Sequence, residues 1–104
     1  MRKYKIITAP YLSDMILEHV RFISRVSIPA AKRFRTEFAE LTRRISENPY
    51  QFPVLEDPNL PRDTYRKALF AKWYKAVFYV DGDTVYIDAV VDGRREQLRQ
   101  RGSG

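Results

Sequence analysis

The chain has 104 residues, 44% of them hydrophobic and 31% charged, a size and composition typical of one globular domain with a modest core. The absence of cysteine excludes disulfides and thiolate metal sites, and no apolar run approaches the roughly 18 residues of a membrane span. With no signal-peptide pattern among the first ten residues, we expect a cytoplasmic protein, and the net charge of +6 favours nucleic acid, ribosomes or acidic proteins as partners.

The first elements are a short strand and a helix. Residues 3–8 alternate and are rich in β-branched side chains, which predicts a strand. Thr8 followed by Pro10 resembles an N-cap and a first-turn proline, and apolar residues at helical spacing then predict a helix over roughly 9–25. The single histidine, His19, lies on the apolar side of this helix, which favours a structural role over catalysis.

A second helix follows after a short link, which predicts an antiparallel helical hairpin. Ser27 and Pro29 repeat the signal of a cap and a proline, and the helix is predicted to end at about Glu47, before Asn48-Pro49. Its apolar stripe consists of Ala31, Phe34, Phe38, Leu41 and Ile45. Residues 48–63 contain four prolines and predict a long surface connection.

Three strands are predicted from Thr64 onward, in TYRKALF, WYKAVFYV and DTVYIDAVV. If Asp81-Gly82 is a two-residue turn, Lys75 faces Asp88 on an open, mixed side of the hairpin. The side predicted to pack on the helices pairs Phe78 with Val85, Ala76 with Ile87 and Tyr74 with Ala89.

The order βααβββ predicts an α+β fold, with the helical hairpin packed on a small antiparallel sheet. We expect residues 1–101 to form a single domain and residues 102–104, Gly-Ser-Gly, to be a linker or an added tail. We predict that Phe34, Phe38, Leu41, Ile45, Phe78 and Ile87 share one core.

The sequence contains no P-loop, nucleophile elbow or metal-ligand cluster, so we expect neither a metal nor another cofactor. Two basic clusters remain: Arg66, Lys67, Lys72 and Lys75 on the strands, and Arg94, Arg95, Arg99 and Arg101 after them. Arginine suits bidentate phosphate contacts, and Trp73, Tyr79 and Tyr86 suit base stacking if they reach the open side, which Tyr74 does not. The alternative is a solvated rim of charges around core aromatic residues.

The sequence resembles the RelE/ParE toxins of bacterial type II toxin–antitoxin pairs over residues 4–98. The resemblance rests on YKIITAPYLSDM, AAKRF, TYRKALF, WYKAVFYVDGDTVYI and VVDGRRE, in this order and spacing. It implies the same βααβββ fold, a cognate antitoxin as partner, no membrane and no small-molecule cofactor. RelE-like members are described as ribosome-dependent endoribonucleases (mRNA interferases), whereas ParE-like members are described as DNA gyrase inhibitors.

The resemblance also implies site residues. In an enzyme of the RelE type, Arg95, Arg66 and Lys75 would be catalytic, and Arg94, Lys72 and Arg99 would bind RNA phosphate. The strand position for a basic lysine holds Ala68, Lys67 is expected on the other side of its strand, and no tyrosine follows Tyr86 to fill the tail position. Ribosome-dependent mRNA cleavage is therefore our first hypothesis, with gyrase inhibition, or an inactive relative within a repressor complex, as alternatives.

Overall fold

The computed structural model describes residues 3–94. The elements are β1 (Lys5–Thr8), α1 (Leu12–Ser24), α2 (Ile28–Glu47), a short 3-10 turn (Pro49–Gln51), β2 (Tyr65–Phe70), β3 (Tyr74–Asp81) and β4 (Thr84–Asp92). The predicted α+β class and the order βααβββ are confirmed. No helix within residues 3–94 is both long and apolar enough to cross a membrane.

The sheet has the order β1-β4-β3-β2 and is mixed, so the prediction of an antiparallel sheet needs one correction. The pairs β2–β3 and β3–β4 are antiparallel, but β1 pairs in parallel with β4. Parallel neighbours need a long crossover connection, and here that connection contains both helices.

Helix α1 begins later than predicted. Thr8 is the last residue of β1, where it lies beside Ile87, and therefore does not cap the helix. A turn intervenes, in which the Leu12 N–H donates to the carbonyl of Ala9 at 2.9 Å. Tyr11 precedes the first helical residue and makes no capping bond with its side chain.

Helix α2 has the predicted boundaries. The Ser27 hydroxyl accepts a hydrogen bond from the Ala30 N–H at 3.1 Å, which satisfies one of the donors left unpaired at a helix start. Pro29 occupies the first turn, and the helix ends at Glu47. The Asn48 side chain then accepts from the Tyr50 N–H and begins the next turn.

The β3–β4 hairpin is shifted by one residue from its predicted register. The loop is Gly82-Asp83, and Asp81 lies opposite Thr84. Gly82 has a φ of +64° at the first loop position, where a type II′ turn needs glycine. The predicted pairing of Lys75 with Asp88 is therefore wrong, and Lys75 lies opposite Val91.

A second shift occurs at a β-bulge in β4. Phe78 lies opposite Ile87, but Val77 lies opposite Ala89, so Asp88 is an extra residue on its strand. Beyond the bulge, Val90 points into the core in place of Ala89, and Tyr74 lies opposite Asp92.

The core lies between the helices and one side of the sheet. Five of the six predicted core residues are fully buried: Phe34, Leu41, Ile45, Phe78 and Ile87. Phe38 is only partly buried and packs against this cluster, with its ring 5.6 Å from that of Phe70. Within residues 3–94, no helix covers the opposite side of the sheet, which is called the open face below.

Candidate nucleic-acid-binding face

The open face carries two lysines on neighbouring strands. Lys67 on β2 lies opposite Val77, and Lys75 on β3 lies opposite Leu69, so both lysines occupy the outward positions of their strands. Alternation along β2 places Arg66, Ala68 and Phe70 on the side of the helices. Lys67 lies on the opposite side of β2 from Ala68, as expected, and that side is the open face, which also carries Lys75.

These lysines line a groove of about 690 Å³ at one end of the open face. Its basic side chains are Lys67, Lys72, Lys75 and Arg94, and its acidic side chains are Glu56 and Asp57 from the long connection. We call it the cationic groove. Four positive charges against two negative ones give it the sign that a phosphate backbone requires.

Arg94 is held in place at the exit of β4. The Asp92 carboxylate, 6% exposed, accepts from the Arg94 N–H at 3.0 Å, from Nε at 3.3 Å and from Nη2 at 3.2 Å. The guanidinium carbon lies 4.0 Å from the centre of the Trp73 ring, a cation–π distance. The guanidinium is thus oriented before any ligand arrives.

The loop between β2 and β3 supplies Lys72 and Trp73 to the cationic groove. Ala71 and Lys72 have φ values of 49° and 76°, a left-handed conformation that is uncommon for residues other than glycine. The carbonyl of Trp73 accepts the Gly93 N–H at 2.8 Å, which ties the loop to the end of β4. The Lys72 ammonium lies 5.9 Å from the Trp73 ring, and Lys72 lines the cationic groove together with Arg94.

Arg66 has a different environment from the one that the resemblance implied. Its Nη1 donates to the carbonyl of Phe52 at 2.6 Å, and its guanidinium lies 5.0 Å from the Tyr50 ring. These contacts attach the long connection to β2 on the side of the helices. The structure therefore does not bring Arg66 together with Lys75. Ala68 is 1% exposed within the core, so a lysine at this position would not reach the open face.

The remaining predicted residues divide into two groups. Lys72 and Arg94 lie in the cationic groove with Lys75, whereas Arg95, Arg99 and Arg101 lie outside the described residues. Lys67 was not among the predicted site residues. The signal that identifies it is the alternation of β2, in which Ala68 and Phe70 point into the core and Lys67 points to the open face.

The other end of the open face carries three tyrosines, called the tyrosine row. Tyr65 on β2 lies opposite Tyr79 on β3, which lies opposite Tyr86 on β4. The rings of Tyr79 and Tyr86 stack with centroids 4.9 Å apart and planes 17° apart, and Tyr65 meets Tyr79 edge to face at 5.4 Å. Tyr79 and Tyr86 reach the open face, which was the condition set for base stacking, and Tyr74 points inward as expected.

Asp88, the extra residue of the bulge, lies beside the tyrosine row. Its carboxylate accepts a hydrogen bond from the Tyr65 hydroxyl at 2.9 Å, and this bond raises the pKa of Tyr65. Burial, with Asp88 adding to it, also raises the pKa of Tyr79. The phenols of Tyr65 and Tyr79 therefore stay protonated and neutral at physiological pH.

His19 packs between helix α1 and the side of the sheet that faces the helices. Its Nε2 lies 2.8 Å from the carbonyl oxygen of Val90, and its ring lies 5.1 Å from that of Tyr74. These contacts agree with the structural role expected from the sequence. Within residues 3–94 there is no group of three or more His, Cys, Asp or Glu side chains placed to hold a metal ion.

The fold is similar to a solved one. A chain of the chromosomal ParDE TA system from P. aeruginosa superposes with a TM-score of 0.67 and 12% sequence identity, covering 86% of this chain and 96% of that chain. The predicted RelE/ParE-like fold is thereby confirmed. The sequence matches no protein-family model and no curated protein.

Proposed function

We propose that this chain is the toxin of a type II toxin–antitoxin pair, that it cleaves mRNA on the ribosome, and that a cognate antitoxin neutralises it. The cationic groove carries this proposal, because it gathers Lys67, Lys72, Lys75 and Arg94 on a sheet face that the helices leave open. The shared fold with a chain of a solved TA system supports the toxin–antitoxin part.

The groove fits the charge that develops during RNA cleavage. When a ribose 2′-hydroxyl loses its proton and attacks the adjacent phosphorus, the 5′-oxygen of the next nucleotide leaves and takes up a proton. The products are a 2′,3′-cyclic phosphate and a 5′-hydroxyl. The pentacoordinate phosphorus between these states carries more negative charge than the phosphodiester. Positioned cations lower the barrier because they bind this species more strongly than the substrate. Arg94 meets this requirement best, since Asp92 and Trp73 already orient it.

The part of the proposal that concerns the antitoxin rests on the positive charge of the chain. The chain has a net charge of +6, and an acidic, flexible antitoxin segment that covers the cationic groove would neutralise it. Exposed charge pairs are screened over about 8–10 Å at ordinary ionic strength, so this binding should weaken as salt is added. An affinity that stays constant from low to high salt would instead indicate an apolar interface on the helices.

The test is expression of the chain without its antitoxin, followed by mRNA cleavage in a translating extract. We expect Arg94→Gln and Lys75→Gln to lower the cleavage rate by about 100- to 1,000-fold, the loss typical of one donor that stabilises transition-state charge. Lys32→Gln, which removes an exposed lysine of α2, is the matched control and should cleave like the parent. If the parent protein cuts no mRNA, the RNase proposal is wrong.

Gyrase inhibition is the second candidate, and two positions favour it. Ala68 is buried where the resemblance places a catalytic lysine, and Arg66 is engaged with Phe52 and Tyr50. Under this hypothesis the cationic groove contacts protein, and the parent blocks DNA supercoiling by gyrase without cutting mRNA. A parent that does neither, but binds operator DNA with its antitoxin, would be an inactive relative within a repressor complex.

A further inference from the structure

We propose that the tyrosine row binds unpaired bases of single-stranded RNA by stacking. This inference rests on the proposed function and names the part of the RNA that this end of the open face recognises. Every base presents a flat π surface, and aromatic side chains on an exposed sheet stack on such surfaces when the bases are not paired with another strand.

The geometry of the row suits more than one base. It crosses β2, β3 and β4 and continues to the exposed Ile7, which lies beside Tyr86 on β1. With neighbouring strands about 4.8 Å apart, the row from Tyr65 to Ile7 spans roughly 14 Å. Tyr79 and Tyr86 stack on each other, and Tyr65 meets Tyr79 edge to face, so a base stacks only on a ring face that these contacts leave open.

Charge is distributed unevenly along the open face, so its two ends suit different parts of an RNA chain. Asp88 lies at the row, and the exposed Asp81 and Asp83 lie at the turn next to it, against one exposed lysine, Lys5 of β1. Negative charge therefore exceeds positive charge at this end, which attracts phosphate less than the cationic groove does. The cationic groove attracts phosphate at the other end. Neutral bases are therefore the part of an RNA that fits the tyrosines.

The two ends are close enough for one RNA chain. Lys67 follows Tyr65 by two residues on β2 and shares its face, which places their Cα atoms about 7 Å apart. A phosphate held by Lys67 thus leaves the attached base within reach of the Tyr79 ring. The tyrosine row and the cationic groove together form one binding surface.

The test uses a short single-stranded oligoribonucleotide that contains 2-aminopurine, whose fluorescence falls when it stacks on an aromatic ring. The full chain should bind it with quenching. Tyr79→Leu or Tyr86→Leu should raise the Kd by about 5- to 150-fold and reduce the quenching at saturation, since one stacked base contributes this much binding. Tyr79→Phe keeps the ring and should behave like the parent.

Two sets of controls make the result specific. Tyr50→Leu removes a 54% exposed tyrosine outside the open face and should leave both readouts unchanged. Lys67→Gln should weaken binding but keep the quenching at saturation, because it acts on phosphate. Cooperative thermal unfolding of each variant confirms that it is folded.

The inference is overturned if the leucine variants bind and quench like the parent, or if the parent itself shows no quenching. In either case, mRNA cleavage by the parent in a translating extract would leave the proposed function standing. Leucine variants that lose the antitoxin while keeping RNA would identify the tyrosine row as a protein interface and also overturn the inference. A parent that fails in cleavage but shows the quenching pattern would refute the RNase proposal alone.

Discussion

Replacing Gly93 by alanine should destabilise the fold and displace the exit of β4. A Cβ atom at this position would lie 2.8 Å from the backbone oxygen of Trp73, a distance that real Cβ contacts essentially never show. Reaching 3.4 Å, the start of ordinary contact, requires a shift of about 0.6 Å in backbone that also carries the bond from the Gly93 N–H to the Trp73 carbonyl. Such overpacking typically costs about 1–3 kcal/mol.

Thermal unfolding measures this cost. Each kcal/mol lowers the Tm by about 4–8 °C in a domain of this size. The sign of the change in unfolding free energy is informative, because glycine-to-alanine changes at positions with room for the added methyl group stabilise a protein by about 0.4–1 kcal/mol. The single tryptophan, Trp73, supplies a second readout: its emission should change as Arg94 moves from its ring.

Gly82 is the matched control. It has a φ of +64° and nothing within 4 Å of an added Cβ, so its constraint is conformational rather than steric. Gly82→Ala should cost about 1–2 kcal/mol, whereas Gly82→Asn should cost less because asparagine tolerates the left-handed region. At Gly93, asparagine should be as harmful as alanine. A Gly93→Ala protein as stable as the parent, with unchanged tryptophan emission, would refute this reasoning.

Three further predictions concern stability. Phe34→Ala should cost about 3–5 kcal/mol in denaturant unfolding, since the ring is 1% exposed, and Phe38→Ala should cost less because its ring is only partly buried; equal losses would contradict this ranking. Ser27→Ala should cost about 1 kcal/mol through loss of the cap of α2, whereas Ser27→Asp should retain most of it. The raised pKa of Tyr65 stabilises the fold below its unfolded pKa of about 10, and this contribution is lost as the pH rises through the folded value. Tyr65→Phe should therefore show a smaller alkaline loss of unfolding free energy than the parent, and identical pH profiles would contradict the role of the hydrogen bond to Asp88.

The helices could be predicted because their signals are local. Ser27, Pro29 and the apolar stripe of α2 lie within a few turns of each other, and they fixed both ends of that helix. The start of α1 could not be predicted in this way. Thr8 has the chemistry of a cap, but its backbone is engaged with β4 as part of β1, a contact that only the tertiary structure reveals.

The register of the sheet depends on single-residue choices that the local sequence leaves open. In Asp81-Gly82-Asp83, glycine suits the second position of one turn type and the first position of another, and the structure has the latter. The bulge at Asp88 adds a second shift. The turn shift leaves the sides of β3 and β4 as predicted as far as Ile87, and only the bulge reverses them, so that Val90 points inward in place of Ala89. Lys67 was missed because the resemblance placed the site at Arg66 and Ala68, which lie on the other side of β2.

The parallel pairing of β1 with β4 has a consequence for how the chain folds as it is made. A ribosome delivers β1 before the helices and β4 after all the other described strands, while β2, β3 and β4 pair as successive hairpins as they emerge. β1 is at the edge of the sheet, and β4 is its sheet neighbour, so this long-range pair closes last. Until β4 is in place, the apolar side of α1 lacks the strand against which it packs. A nascent chain that stops before β4 is therefore a substrate for chaperones and proteases rather than an active protein.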